Sequence, residues 1–194
     1  GAGVGVYHTS SAEEVEWVIG NSDSKVAFVG HNPMAAGDQS KMPQHRLMQV
    51  IDALDKVEHF VLLPGVEGVS HEKLMSWDAF MGHGAGVETA KLHERIDALT
   101  DADTSALIYT SGTTGNPKGV ELTHGNWNFE VQAADFAFQF HQGERYVSWL
   151  PLAHVFGQLI DNHYWVDKGL HMYVADNPLN VVDLAKEVQP HLFI

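Results

Sequence analysis

The chain contains no cysteine, which excludes a disulfide framework and thiolate metal sites and is compatible with a reducing cytosol. Positive charge is scarce: 11 lysines and arginines stand against 25 aspartates and glutamates, a formal net charge of −14. The field of such a chain repels nucleic acid and anionic headgroups, so no nucleic-acid partner is expected and a polyanionic ligand must be held by local donors. Long apolar runs are missing too. The longest are strand-sized, and no basic stretch leading into an apolar one opens the chain, so no transmembrane segment is expected. What is present suffices for a fold: 44% hydrophobic and 10% aromatic residues over 194 positions can build one sizeable core, which argues against disorder.

Both ends read as cut. Gly1-Ala2-Gly3-Val4-Gly5-Val6-Tyr7 reads as a strand without a start methionine, and His191-Leu192-Phe193-Ile194 is an apolar run with no turn after it. The expectation is a fragment of a longer protein, whose exposed apolar ends would drive oligomerisation.

Alternating strand and helix signals organise the first half. Ser11 and Glu14 form a capping-box pattern, Val15, Val18 and Ile19 follow at helical spacing, and Gly20-Asn21 closes the helix. Val26-Ala27-Phe28-Val29 reads as a buried strand. Leu47, Val50, Ile51 and Leu54 mark one helical face, and Phe60-Val61-Leu62-Leu63 is a strand ended by Pro64-Gly65. From Glu67 to Asp103 the signal weakens, with a short helix at Trp77-Asp78-Ala79-Phe80, a loop from Gly82 to Gly86, and Leu92, Ile96 and Leu99 on another face.

In the second half, Ser105 to Tyr109 reads as a strand, Thr110 to Gly119 as a loop and Val120 to Thr123 as a second strand. A longer helix carries Trp127, Val131, Ala134 and Phe138. Next come a strand Tyr146 to Leu150, a helix beginning near His154, a strand Leu170 to Ala175, and a helix with Val181, Leu184, Ala185 and Val188 on one side, ended by Pro190. The fold class is therefore α/β, with parallel β-sheets flanked by helices. No repeat or linker splits the chain. Two regions of one fragment are expected, about 1–103 and about 104–194.

The chemistry concentrates between Thr110 and Lys118, in the run Thr-Ser-Gly-Thr-Thr-Gly-Asn-Pro-Lys. Gly112 and Gly115 can take positive φ, letting successive amides converge on an anion. The hydroxyls of Thr110, Ser111, Thr113 and Thr114 are short donors, and Lys118 adds a point charge. A Walker loop is excluded, because position 117 is proline and strand-like Gly119-Val120-Glu121-Leu122 follows the lysine. The opening glycines also miss the dinucleotide fingerprint, whose third glycine would fall on Val6. Composition alone would also allow a plain hydroxyl-rich turn.

Taken whole, Tyr109-Thr110-Ser111-Gly112-Thr113-Thr114-Gly115-Asn116-Pro117-Lys118-Gly119 resembles the signature loop of the adenylate-forming superfamily of acyl-CoA synthetases, luciferases and peptide-synthetase adenylation domains. Trp149-Leu150-Pro151-Leu152-Ala153-His154-Val155-Phe156 is similar to that superfamily's next core element, in which the histidine sits beside the acyl and adenylate pocket. Tyr7 to Glu13 with the Lys25 to Val29 strand, and Leu122-Thr123-His124-Gly125-Asn126, are similar to the flanking segments of long-chain fatty-acyl-CoA synthetases.

The resemblance implies part of the large N-terminal AMP-binding domain of a fatty-acid–CoA ligase, with a phosphate-loop hairpin opening the region from about 104. It implies ATP, Mg2+ and CoA in the intact enzyme, and a fatty acid as substrate. It assigns Lys118 and His154 to catalysis and Thr110, Ser111, Gly112, Thr113, Thr114, Gly115 and Lys118 to the nucleotide. It also implies a cytoplasmic enzyme that its acyl substrate could bring to a membrane surface.

The family's adenine element, ribose-binding aspartate and C-terminal domain with its lysine are not in this sequence, so the piece alone is expected to be inactive. Gln158 stands near where some relatives carry a tryptophan gate. Three other readings stay open: an adenylation domain that loads a carrier protein, a non-catalytic ATP-binding relative and, outermost, a generic αβ interaction domain.

Other residues attract no role. The 13 histidines come no closer than His163 and His171 and form no His-x-x-x-His pair, so no metal site is expected. Asp101 and Asp103 read as solvated turn residues. Trp17, Trp127, Trp149 and Trp165 read as core.

Overall fold

The computed structural model describes residues 1–35, 37–110 and 115–193. In chain order the strands are β1 (Gly3–Val4), β2 (Val26–Val29), β3 (His59–Leu62), β4 (Leu74–Ser76), β5 (Thr104–Thr110), β6 (Lys118–Thr123), β7 (Arg145–Ser148) and β8 (His171–Val174). The helices are α1 (Ala12–Asn21), α2 (Pro43–Leu47), α3 (Trp77–Gly82), α4 (Thr89–Asp97), α5 (His124–Phe138), α6 (Val155–Gln158), α7 (Trp165–Lys168) and α8 (Val181–Val188), with a π-helical stretch, Leu159–Tyr164, between α6 and α7. The chain divides into two compact units, one of residues Val6–Leu99 and Tyr109–Gly119, the other of Gly1–Gly5, Thr100–Ile108 and Val120–Ile194.

The first unit is built on the sheet β2-β3-β4, whose neighbours run parallel from Val26 opposite His59 to Leu62 opposite Ser76. Helix α1 starts where the sequence places it: Ser11 accepts from the Glu14 amide and Glu14 reaches back to the Ser11 amide, a box whose cap is worth about 1 kcal/mol. Val15 and Ile19 pack with Val29, Leu47, Ile51, Leu54, Val57 and Phe60 in one core. Phe60 is fully buried, a contribution of about 2–3 kcal/mol.

The helix expected through Leu47, Val50, Ile51 and Leu54 is broken, since α2 stops at Leu47 and Ile51–Ala53 is a 3-10 turn. Residues three apart share a side in either winding, as Ile51 and Leu54 do, so a spacing this short cannot tell the two apart; Leu47, Ile51 and Leu54 are buried and Val50 packs against them partly buried. In the weak-signal region β4 appears where no strand was expected. Leu92, Ile96 and Leu99, the expected apolar face of α4 and its end, are each about half exposed.

The second unit holds β1 and most of β5 and β6, in the order β1-β5-β6, with β1 parallel to β5 at Gly3 opposite Ala106. A separate parallel pair, β7 and β8, sets Arg145 opposite His171 and Ser148 opposite Val174. Helix α5 begins with its own capping box, Thr123 and Asn126. Its Trp127 and Ala134 pack with Ala106, Tyr146, Leu159, Ile160, Tyr164 and Leu170.

The Trp127 indole stacks on the His163 imidazole at 4.6 Å between centroids, and burial, with His124 adding a smaller effect, holds His163 below its ordinary pKa. Arg145 caps the far end of α8: Nε donates to the Val188 carbonyl at 2.9 Å and an Nη to the Gln189 carbonyl at 3.1 Å. The His191 amide returns to the Arg145 carbonyl at 2.7 Å. Among the described residues no helix is long and apolar enough to cross a membrane.

Candidate functional site

Ser111, Gly112, Thr113 and Thr114 lie outside the described residues, and the loop is described by its two stems. Strand β5 carries the chain up to Thr110, whose side chain is exposed, and β6 takes it back from Lys118, also exposed. The strands thus intrude on the expected loop, Thr110 to Gly119, from both sides. The early start of β6 leaves no hydrophobic signature because Lys118, Gly119, Val120 and Glu121 are all exposed, and alternation marks only strands with one buried face. Gly115 has φ +87° with open space where a Cβ would sit, the left-handed conformation that a glycine-rich anion loop requires.

Helix α1 grips both stems. The Trp17 indole Nε1–H donates to the Pro117 carbonyl at 2.8 Å. The Tyr109 hydroxyl donates to Asn21 Oδ1 at 2.7 Å, and the Tyr109 ring lies 3.0 Å from where a Cβ on Gly119 would be. Burial raises the Tyr109 pKa above its ordinary value, with Ser22 opposing and Asp23 reinforcing that effect, so the hydroxyl keeps its proton. Trp17 is more than a third exposed, which corrects its assignment to the core: α1 buries Val15, Val18 and Ile19, and Trp17 projects from another side. Trp127 is buried as expected, while Trp149 and Trp165 are partly buried.

His154 belongs to the other unit, and its surroundings are described there. It is exposed and stands at the N-cap of α6, where its Nδ1 accepts from the Phe156 amide at 3.2 Å. In the neutral ring the proton therefore sits on Nε2. The segment before it is tightly seated. A Cβ on Gly157 would lie 2.7 Å from the Pro151 carbonyl oxygen, and one on Gly5 2.6 Å from Ala153 Cα. Buried Gln158 donates to the Leu152 carbonyl at 2.8 Å, so at the position compared with a tryptophan gate stands an amide that ties down the backbone.

Beneath this segment lies a polar group that sequence reading missed. Ser148 of β7 donates to Asp161 in the π-helical stretch, and the buried Tyr146 hydroxyl has no partner of its own in hydrogen-bond geometry. Burial raises the Asp161 carboxyl above its ordinary pKa, with Ser148 and Tyr146 opposing the effect, and pushes the Tyr146 hydroxyl far above the phenol range. The one available signal was a lone acid in the apolar run Leu159-Ile160-Asp161. Asp101 and Asp103 serve as turn residues: Asp101 accepts from Asn128, and Asp103 from the Thr100 amide and hydroxyl, which hold its carboxyl below the ordinary range. Among the described residues no group of three or more carboxylates and imidazoles could hold a metal ion.

Comparison with known proteins fits this arrangement. The model of the AMP-binding enzyme family matches residues 1–194, and the chain belongs to that family. It is 30% identical over 204 residues to the long-chain-fatty-acid–CoA ligase ACSBG2 of Xenopus laevis, a match covering 100% of this chain and 26% of that protein. It is 36% identical over 162 residues to the long-chain-fatty-acid–CoA ligase FadD15 of Mycobacterium bovis, covering 81% of this chain and 24% of that one. The chain thus spans about a quarter of the length of these relatives. The crystal structure of the anthranilate CoA ligase AuaEII in complex with anthranoyl-AMP superposes with a TM-score of 0.71 at 22% identity, over 97% of this chain and 34% of that one, which shows the α/β fold of parallel sheets and flanking helices to be shared.

Proposed function

We propose that this chain is the phosphate-binding part of a fatty-acid–CoA ligase. In the whole enzyme a fatty-acid carboxylate oxygen attacks the α-phosphorus of ATP, the bond to the β-phosphate oxygen breaks and pyrophosphate leaves. The CoA sulfur then attacks the acyl carbonyl of the adenylate and AMP leaves with the carboxyl oxygen. Without activation the thiol would have to expel oxide, so the enzyme's task is to stabilise the charge that gathers on the departing phosphates.

The proposed phosphate donors are the amides and hydroxyls of Thr110, Ser111, Gly112, Thr113, Thr114 and Gly115, together with the Lys118 ammonium. His154 is the proposed neighbour of the acyl and adenylate pocket. Magnesium enters with ATP as part of that substrate. The observation that supports this reading best is the backbone at the end of the loop, where Gly115 at φ +87° is followed by Pro117 and an exposed Lys118 at the start of a strand.

The test uses the full-length protein. Fatty-acid-dependent exchange of pyrophosphate into ATP is expected to fall at least 100-fold in K118A, and unsubstituted protein is expected to give acyl-CoA with free CoA. Adenylate formation without transfer to free CoA would point instead to carrier-protein loading. Nucleotide affinity without any acyl-adenylate would point to a non-catalytic relative, and unchanged exchange in K118A would sink the assignment of the loop.

A further inference from the structure

We infer that Trp17 and Asn21 of α1 are positioning residues for the two stems that flank the loop, and that Trp17 acts by fixing the peptide plane from which Lys118 departs. The inference rests on the nucleotide reading above, since it names what holds the stem that carries Lys118.

A peptide unit is planar, so the Pro117 carbonyl and the Lys118 amide share one rigid plate. A donor that fixes the carbonyl oxygen therefore fixes the direction in which the Lys118 Cα leaves. The Trp17 indole is such a donor, at 2.8 Å. Four residues further along the same side of α1, Asn21 receives the Tyr109 hydroxyl at 2.7 Å, which anchors the other stem one residue before Thr110. The Tyr109 ring then lies against Gly119, where a side chain would meet it at 3.0 Å. Lys118 is bracketed: its preceding carbonyl is held by α1, and its following residue is packed on a tyrosine that α1 also holds.

The platform is firm. Helix α1 is fastened by its capping box and by buried Val15, Val18 and Ile19. A lysine needs such backing more than an arginine would, because its ammonium is a point charge on a flexible four-carbon stem, and only the backbone sets where that stem begins. The Trp17 bond is exposed, so it adds little to global stability. What it fixes is a direction.

Full-length protein carrying W17F keeps an aromatic ring and loses the N–H, and N21A removes the acceptor for Tyr109. Each is expected to raise the KM for ATP about three- to tenfold, the scale of one hydrogen bond, while the KM for the fatty acid stays unchanged; the Tm stays unchanged in W17F, whose bond is exposed, and falls modestly in N21A, which leaves the buried Tyr109 hydroxyl without its acceptor. Direct ATP binding measured in a K118A background decides the mechanism: there W17F is expected to have no further effect, because the group it positions is gone. Loss of ATP and fatty-acid affinity together with a lowered Tm would overturn the inference, as would an unchanged ATP KM or a W17F effect of equal size with and without Lys118. If K118A itself leaves ATP binding intact, the nucleotide reading fails first; if K118A weakens binding and W17F does not, only the positioning role fails.

Discussion

Ser148 Oγ donates to Asp161 Oδ2 at 2.5 Å, joining a core strand to the π-helical stretch that follows α6. The carboxylate is partly withdrawn from water, and its folded-state pKa lies above the ordinary 3.8. Between that value and the folded pKa the native state holds the extra proton, so stability falls as pH rises through this window and is fully favoured only below 3.8. Denaturation curves across acid pH should therefore show D161N gaining on the unsubstituted chain as pH rises through the window, with the difference constant above it. A difference running the other way would refute the partly buried placement of Asp161.

Removing the serine partner tests the same pair from the other side. S148A leaves the carboxylate without its hydroxyl donor and is expected to cost about 1–2 kcal/mol at neutral pH. The loss should shrink when Asp161 is protonated, which chemical denaturation at two pH values can read.

Around His154 the backbone matters more than the imidazole. G157A drives a methyl group into the Pro151 carbonyl, the same oxygen that accepts from the His154 amide at 2.9 Å, and about 1–3 kcal/mol of stability should be lost. H154A forfeits only the cap on the Phe156 amide and should cost about 1 kcal/mol or less. Thermal unfolding that ranked the two in reverse order would contradict the close approach at Gly157.

Much of this architecture could be read from residue types. The Ser11 and Glu14 box, the Val26–Val29 strand and the helices bearing Trp127 and Val181 stand where local signals put them, because their chemistry is local or their burial is one-sided. Strand β4 escaped because three residues, Leu74–Ser76, are too few to show a period, and their pairing with β3 lies outside the local window that periodicity reads. The loop motif was legible as a string of residue types. The clamp on it was not: Trp17 and Pro117 are 100 residues apart, and nothing in an exposed indole announces which carbonyl it will find. Asp161 was hidden for a related reason, since a single acid among apolar residues gives no hint that a serine on a strand will meet it.

The attachment of Arg145 has a mechanical consequence. Its guanidinium holds the last carbonyls of α8, and its own carbonyl holds the backbone just past Pro190. A pull on the polypeptide beyond His191 would be transmitted past the helix to β7, where Tyr146 and Val147 are embedded. The helix is spared from peeling turn by turn, because the load meets the bonds to Arg145 first.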